Sequence, residues 1–341
     1  MFMMNPKSLF LTALGGLALA APAVQAQTTL TGAGATFPNP IYQKWFEEYH
    51  KADGSVTINY QPIGSGGGKA QITAKTVDFG ASDGPMSDEE LGKAPGKVLH
   101  LPTVAGAVVI TYNVPNAGTL KLDGPTLAGI FSGKIKKWDD AAITAQNSGA
   151  KLPSLDVTVV HRSDASGTNY IFTDYLSAVS PEWQTAPGKG TSVSWPTGMG
   201  AKGNDGIAQQ IKDTPGAIGY VELIFAVQQK LTYAELKNAD GQYVKASPQS
   251  VTAALATAKI PDDFRFSMVN APGKTSYPIS GATWLLVYED QADADKGKKL
   301  VAFLKWALSN GEKMAPTLAY APLPEEVQKK VLARIDTIKV K

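Results

Sequence analysis

The chain contains no cysteine, which excludes a disulfide framework, a thiolate metal site and lipid attachment to an N-terminal cysteine. Buried apolar surface must therefore hold the fold. Histidine is almost as scarce, with only His50, His100 and His161 in 341 residues. None of the three has metal-ligand spacing with another or with an acidic cluster, so neither a metal nor a cofactor is expected. His50 falls on a polar helix end and His100 within a strand pattern, and both read as structural. Net charge is only +2, which gives no electrostatic footprint for nucleic acid. An anion would have to be held by a local site. Nucleotide motifs fail letter by letter. In Gly68-Lys69-Ala70 the first glycine of a phosphate loop would fall at Ile63 and its final Ser/Thr at Ala70, and the dinucleotide fingerprint from Gly32 and Gly34 breaks at Phe37. No Gly-x-Ser-x-Gly elbow occurs.

What is present begins with an address. Lys7 precedes an apolar stretch from Leu9 to Ala23, broken by Thr12 and Pro22, and Val24-Gln25-Ala26 offers small residues at the −3 and −1 positions. Residues 1–26 are read as a signal peptide cleaved after Ala26, because the run is too short to span a bilayer. No later segment is long and apolar enough to cross a membrane, so a soluble, secreted chain is expected. Its length allows two domains of ordinary size, each with its own core. At 43% hydrophobic and 18% charged residues, the composition is that of a globular protein.

Short β-branched runs alternate with amphipathic segments. Strands are expected at Thr28 to Thr31, Ser55 to Tyr60, Val77 to Ala81, Leu155 to Val160, Ala217 to Val221 and Ala282 to Tyr288. Helices are expected at Pro38 to Lys51, Gly67 to Lys75, Ala165 to Ala178, Gly203 to Lys212, Gly297 to Leu308 and Pro324 to Ile335. This rhythm predicts an α/β fold with a mostly parallel sheet in two lobes. The runs Val98 to Pro102 and Gly106 to Tyr112 read as one extended path leaving a first sheet and entering a second, with Tyr277 to Tyr288 as the return.

Four stretches share a design in which a strand ends in Gly, Ser or Thr and a helix begins at once. They are Thr31 to Pro38, Gly64 to Lys69, Phe79 to Asp83 and His161 to Thr168. In a parallel sheet such ends face a common crevice, where helix N-terminal N–H groups and small hydroxyls converge on an anion. Taken singly, Thr36, Ser65 and Ser166 are equally consistent with plain helix caps. Arg162 adds a fixed charge and a forked donor, and Asp164 is placed to pair with it or to cap a helix. His161 beside Arg162, near Ser166, is a weak base-and-nucleophile pattern, since neighbouring side chains on a strand point to opposite faces.

These segments, with Val77 to Asp83, Gly133 to Trp138, Gly200 to Gly206 and Pro215 to Glu222, resemble in order the periplasmic phosphate-binding proteins of bacterial Pst transporters. The resemblance spans essentially the whole chain after residue 26. It implies a type II periplasmic binding-protein fold, with two α/β lobes joined by two hinge strands and the ligand cleft between them. Residues 27–104 and 277–341 would form one lobe and 105–276 the other. It further implies a monomer that is not an enzyme, binds inorganic phosphate in the periplasm and serves an ABC transporter permease and ATPase complex. Carried over by motif, Thr36, Phe37 through its N–H, Ser65 and Asp83 would bind from the first lobe. Arg162, Ser166, Gly167 and Thr168 would bind from the second, with Asp164 orienting Arg162. Gly66 stands where a second serine is common, and His161, Ser163 and Ala165 stand where other residues are usual. Asp83 would accept a proton from hydrogenphosphate and repel fully ionised sulfate. The competing readings are a phosphate-ester hydrolase using Ser65 or Ser166, and a surface or adhesion protein on the same scaffold.

Overall fold

A computed structural model describes residues 27–341, so the expected signal peptide lies outside the described residues. The strands of the main sheet are Thr28–Gly34 (β1), Val56–Gln61 (β2), Phe79–Ser82 (β3), Val98–Tyr112 (β4), Thr158–Arg162 (β5), Met199–Ala201 (β6), Ala217–Glu222 (β7) and Ser280–Tyr288 (β8). They lie in the order β2-β1-β3-β8-β4-β7-β5-β6. The helices that matter for the site and its support are Asn39–Ala52 (α1), Ser65–Thr73 (α2), Gly167–Val179 (α3), Gly203–Asp213 (α4), Ala294–Ser309 (α5) and Glu325–Ile335 (α6).

The two expected runs around Pro102 and Gly106 are a single strand, β4, whose fifteen residues are all buried. It pairs antiparallel with β8 from Val98↔Tyr288 to Ala107↔Ser280. Its far end, Val108 to Tyr112, pairs with β7. One strand thus serves both lobes, and a strand covered on both faces reads as an unbroken apolar run. Thr283 faces Val104 while Trp284 faces Pro102, so Thr103 is the extra residue of a bulge. Pro102 is tolerated in this central strand because the ladder is already interrupted beside it.

The sheet is mixed, where the alternation pattern predicted a mostly parallel one. β1 is parallel to β2 and β3, and β5 is parallel to β6 and β7. The contacts β3–β8, β8–β4 and β4–β7 are antiparallel. The reason is topological: β4 and β8 cross between lobes in opposite directions and meet side by side.

Each lobe carries its own apolar packing. In the first, α1 buries Ile41, Tyr42, Trp45, Phe46 and Tyr49 on one helical face. Phe46 and Tyr49 meet Phe303 of α5 at ring-centroid distances of 5.5 and 5.3 Å. In the second, Phe172 stacks 4.4 Å from Tyr220 and meets Phe131 edge-on at 4.6 Å. These aromatic clusters anchor α1 and α3, and α1, α2, α3 and α4 all begin at the seam between lobes.

Candidate functional site

All four stretches singled out by sequence deliver residues to this seam, but only three run from strand into helix within a few residues; after Phe79 to Asp83 no helix begins until Asp88. Gly64, at φ +90°, caps α2, a backbone geometry that glycine adopts without strain. The helix starts at Ser65, two residues before the expected start, so Ser65 sits in its first turn. Ser166 caps α3, its Oγ accepting the Asn169 N–H at 3.1 Å. Thr36 and Phe37 occupy the turn between β1 and α1. Asp83 follows β3 directly.

Asp83 is 2% exposed. Its Oδ1 accepts the Thr283 hydroxyl at 2.7 Å, whereas its Oδ2 is buried without a hydrogen-bond partner. Burial pushes the carboxyl up to about 7, against the opposing pull of Thr283, the Arg162 charge and Ser65. Across the seam stands Gly167, where a Cβ would fall 2.4 Å from both Asp83 Oδ2 and Ser65 Oγ. No side chain larger than glycine's fits between these groups.

Arg162 is 4% exposed and is clamped by Asp164. Its Nε donates to Asp164 Oδ1 at 2.8 Å and its Nη2 to Oδ2 at 2.6 Å. Burial would raise Asp164, but the Arg162 hydrogen bonds and charge and the Gly203 N–H outweigh it and hold the carboxyl below its ordinary range. The Gly203 N–H bond to Asp164 Oδ1 is 3.1 Å. Of the five guanidinium donors, the fork uses two, and one more makes a long 3.4 Å contact with Thr168 Oγ1. Asp164 therefore orients Arg162 and does not cap α3.

The hydroxyls share a common polarity. Ser65 Oγ accepts the Asp83 N–H at 3.1 Å, Ser166 Oγ accepts Asn169 N–H, and Thr36 and Thr168 Oγ1 accept Asn204 Nδ2 at 2.9 and 3.2 Å. Ser65 Oγ also lies close enough to the Asp83 carboxyl to favour its ionised form, whereas among the described residues Thr36, Ser166 and Thr168 donate to no protein group. Their O–H protons remain uncommitted, as do the N–H groups of Phe37, Gly167 and Thr168. The arrangement is a shell of donors around one acceptor, Asp83 Oδ2, at the N-termini of helices whose dipoles favour an anion. Chemically it can hold an oxyanion that carries at least one proton.

All nine residues named from sequence fall at this seam. Sequence reasoning missed Asn204 and Thr283. Asn204 lies inside the Gly200 to Gly206 stretch but carries no distinguishing spacing, and Thr283 lies on the crossing strand β8, far from any motif. His161 stacks on Trp195 at 5.0 Å. It makes no hydrogen bond to Ser65 or Ser166 among the described residues. Glu222 is fully buried, and burial holds its carboxyl well above the ordinary value.

Residues 20–310 match the sequence profile of the PBP superfamily domain. The chain is 47% identical over 317 residues to the phosphate-binding protein PstS of Pasteurella multocida, covering 92% of this chain and 91% of that one. It is 43% identical to the phosphate-binding protein PstS of Haemophilus influenzae, covering 95% and 96%. Its fold is similar to that of a high-affinity periplasmic phosphate-binding protein, PfluDING, solved with phosphate at pH 8.5. The TM-score is 0.74, at 24% identity over 90% of this chain and 93% of that one.

Proposed function

The chain belongs to the PstS family of phosphate-binding proteins, and from that membership we propose that it captures inorganic phosphate outside the inner membrane and delivers it to an ABC-type importer. The observation that carries this reading is Asp83 Oδ2, a buried acceptor without a partner among donors from both lobes. Hydrogenphosphate and dihydrogenphosphate supply the proton that this oxygen needs, and their other oxygens accept from the surrounding N–H and O–H groups.

In this reading Thr36, Phe37, Ser65 and Asp83 bind from a lobe made of residues 27–104 and 277–341. Arg162, Ser166, Gly167 and Thr168 bind from residues 105–276, with Asp164 holding Arg162. The protein acts as a periplasmic monomer, exported by a signal peptide cleaved after Ala26, and docks on a permease and ATPase complex. It is a binding protein and not an enzyme. The hydrolase alternative needs a base beside Ser65 or Ser166, and the stacked His161 gives it no support.

Titration of the purified protein with phosphate, run beside an assay of phosphate-ester turnover, tests the reading. Saturable binding of one phosphate per chain without ester cleavage is expected. Ester cleavage, or no phosphate binding at all, would overturn it.

A further inference from the structure

Asn204, at the second position of α4, is fully buried and touches three groups that sequence does not connect. Its Oδ1 accepts the Glu222 N–H at 2.9 Å. Its Nδ2 donates to Thr36 Oγ1 at 2.9 Å and to Thr168 Oγ1 at 3.2 Å. The Glu222 backbone is fixed by pairing of β7 with β4, and a backbone N–H can only donate. The amide oxygen must therefore face Glu222, which turns both amide protons toward the threonines. A hydroxyl that accepts from Nδ2 keeps its own proton for another acceptor, and none is supplied among the described residues. Thr36 and Thr168 are thereby made donors toward whatever oxyanion enters. Thr36 stands on one side of the seam, and Thr168 and Asn204 on the other. The bond to Thr36 joins the lobes at the site itself, alongside the Gly66 N–H bond to Ala165 C=O at 2.9 Å.

We propose that Asn204 is the positioning residue that sets both threonine hydroxyls as donors toward the bound anion and latches the two lobes over it. The assignment rests on the phosphate reading above. It makes Asn204 act on the ligand through Thr36 and Thr168, with its main effect on how long the closed complex lives, because opening breaks the bond to Thr36.

The test compares phosphate Kd and koff, by titration and rapid mixing, for the parent, Asn204→Ala, Asn204→Asp, Thr36→Val and the Thr36→Val/Asn204→Ala pair. Melting without phosphate is followed in each. Asn204→Ala is expected to weaken phosphate by roughly ten- to a hundredfold, chiefly through faster release. Asn204→Ala also strips the Glu222 N–H of its acceptor, so Asn204→Asp is the decisive variant. It keeps that acceptor, and with it the fold, but it cannot donate, and it draws the threonine protons away from the ligand. Its affinity is expected to fall at least as far. In the Thr36→Val background, Asn204→Ala should cost clearly less than it does alone, because part of its effect is already gone. A folded Asn204→Asp variant that binds as the parent does, or losses that simply multiply in the pair, would overturn the assignment while leaving phosphate capture intact. A parent that takes no phosphate would overturn both.

Discussion

At the scale of single residues, the site combines one fixed cation with one displaced proton. Arg162 spends two donors on Asp164, and in the proposed function others go to the ligand. Arg162→Ala should remove a charge-assisted contact worth about 1.5–3 kcal/mol, weakening phosphate roughly ten- to a hundredfold. Arg162→Lys should recover only part of this, since an ammonium cannot hold the Asp164 fork and the anion together. Calorimetric titration checks both, and parental affinity in either variant places Arg162 outside the site. Asp83 links the site to pH. Its carboxyl ionises near 3.8 when unperturbed but only near 7 in the folded protein. Between those values the folded chain keeps a proton that the unfolded chain has lost, so stability from this group is full below about pH 4 and falls as pH rises through about 7. Asp83→Asn is neutral throughout and should melt above the parent at pH 8 without phosphate, with the two converging near pH 4. A parent-to-variant gap that does not change with pH would show that Asp83 is not held protonated.

At the scale of elements, the lobes meet through surfaces with little room. At Gly66, in the first turn of α2, a Cβ would fall 2.3 Å from the Ala165 Cβ. Neither atom can retreat without moving a helix start. Gly66→Ser should therefore prop the seam open and weaken phosphate by at least about tenfold, while melting without ligand changes little. Adding Ala165→Gly removes the opposing methyl and should restore most of the affinity. A double variant no better than Gly66→Ser alone would show that the contact does not govern closure. The elements that carry this geometry were largely legible in sequence, because the helix and strand periods of the lobes and the Gly-rich turns are local signals. Asp164 was legible as a partner for Arg162 because it lies two residues away. Asn204 and Thr283 were not, because their bonds span 168 and 200 positions and have no spacing to read. The mixed sheet was hidden for a related reason. Which strands become neighbours is decided by where β4 and β8 cross, and their apolar runs carry no mark of direction.

At the scale of the whole molecule, the proposed binding groups are divided between two bodies joined through β4 and β8. The Thr103 bulge interrupts the stretch of β4 that pairs with β8, ahead of the part from Val108 onward that pairs with β7. An extra unpaired residue is a natural place for such a strand to bend. A ligand that bridges the lobes must then shift the population toward the closed form and raise the melting temperature by mass action. A ligand that cannot satisfy Asp83 Oδ2 should do neither, because it leaves a buried acceptor facing a like charge. Sulfate has the shape of phosphate but no proton to give at neutral pH. Small-angle scattering of the purified protein at pH 8, above the value near 7 at which Asp83 ionises, titrated in parallel with phosphate and with a large excess of sulfate, tests this directly. Phosphate is expected to reduce the radius of gyration saturably and sulfate to leave it unchanged. Equal compaction by both anions, or none by phosphate at concentrations where binding is complete, would contradict this.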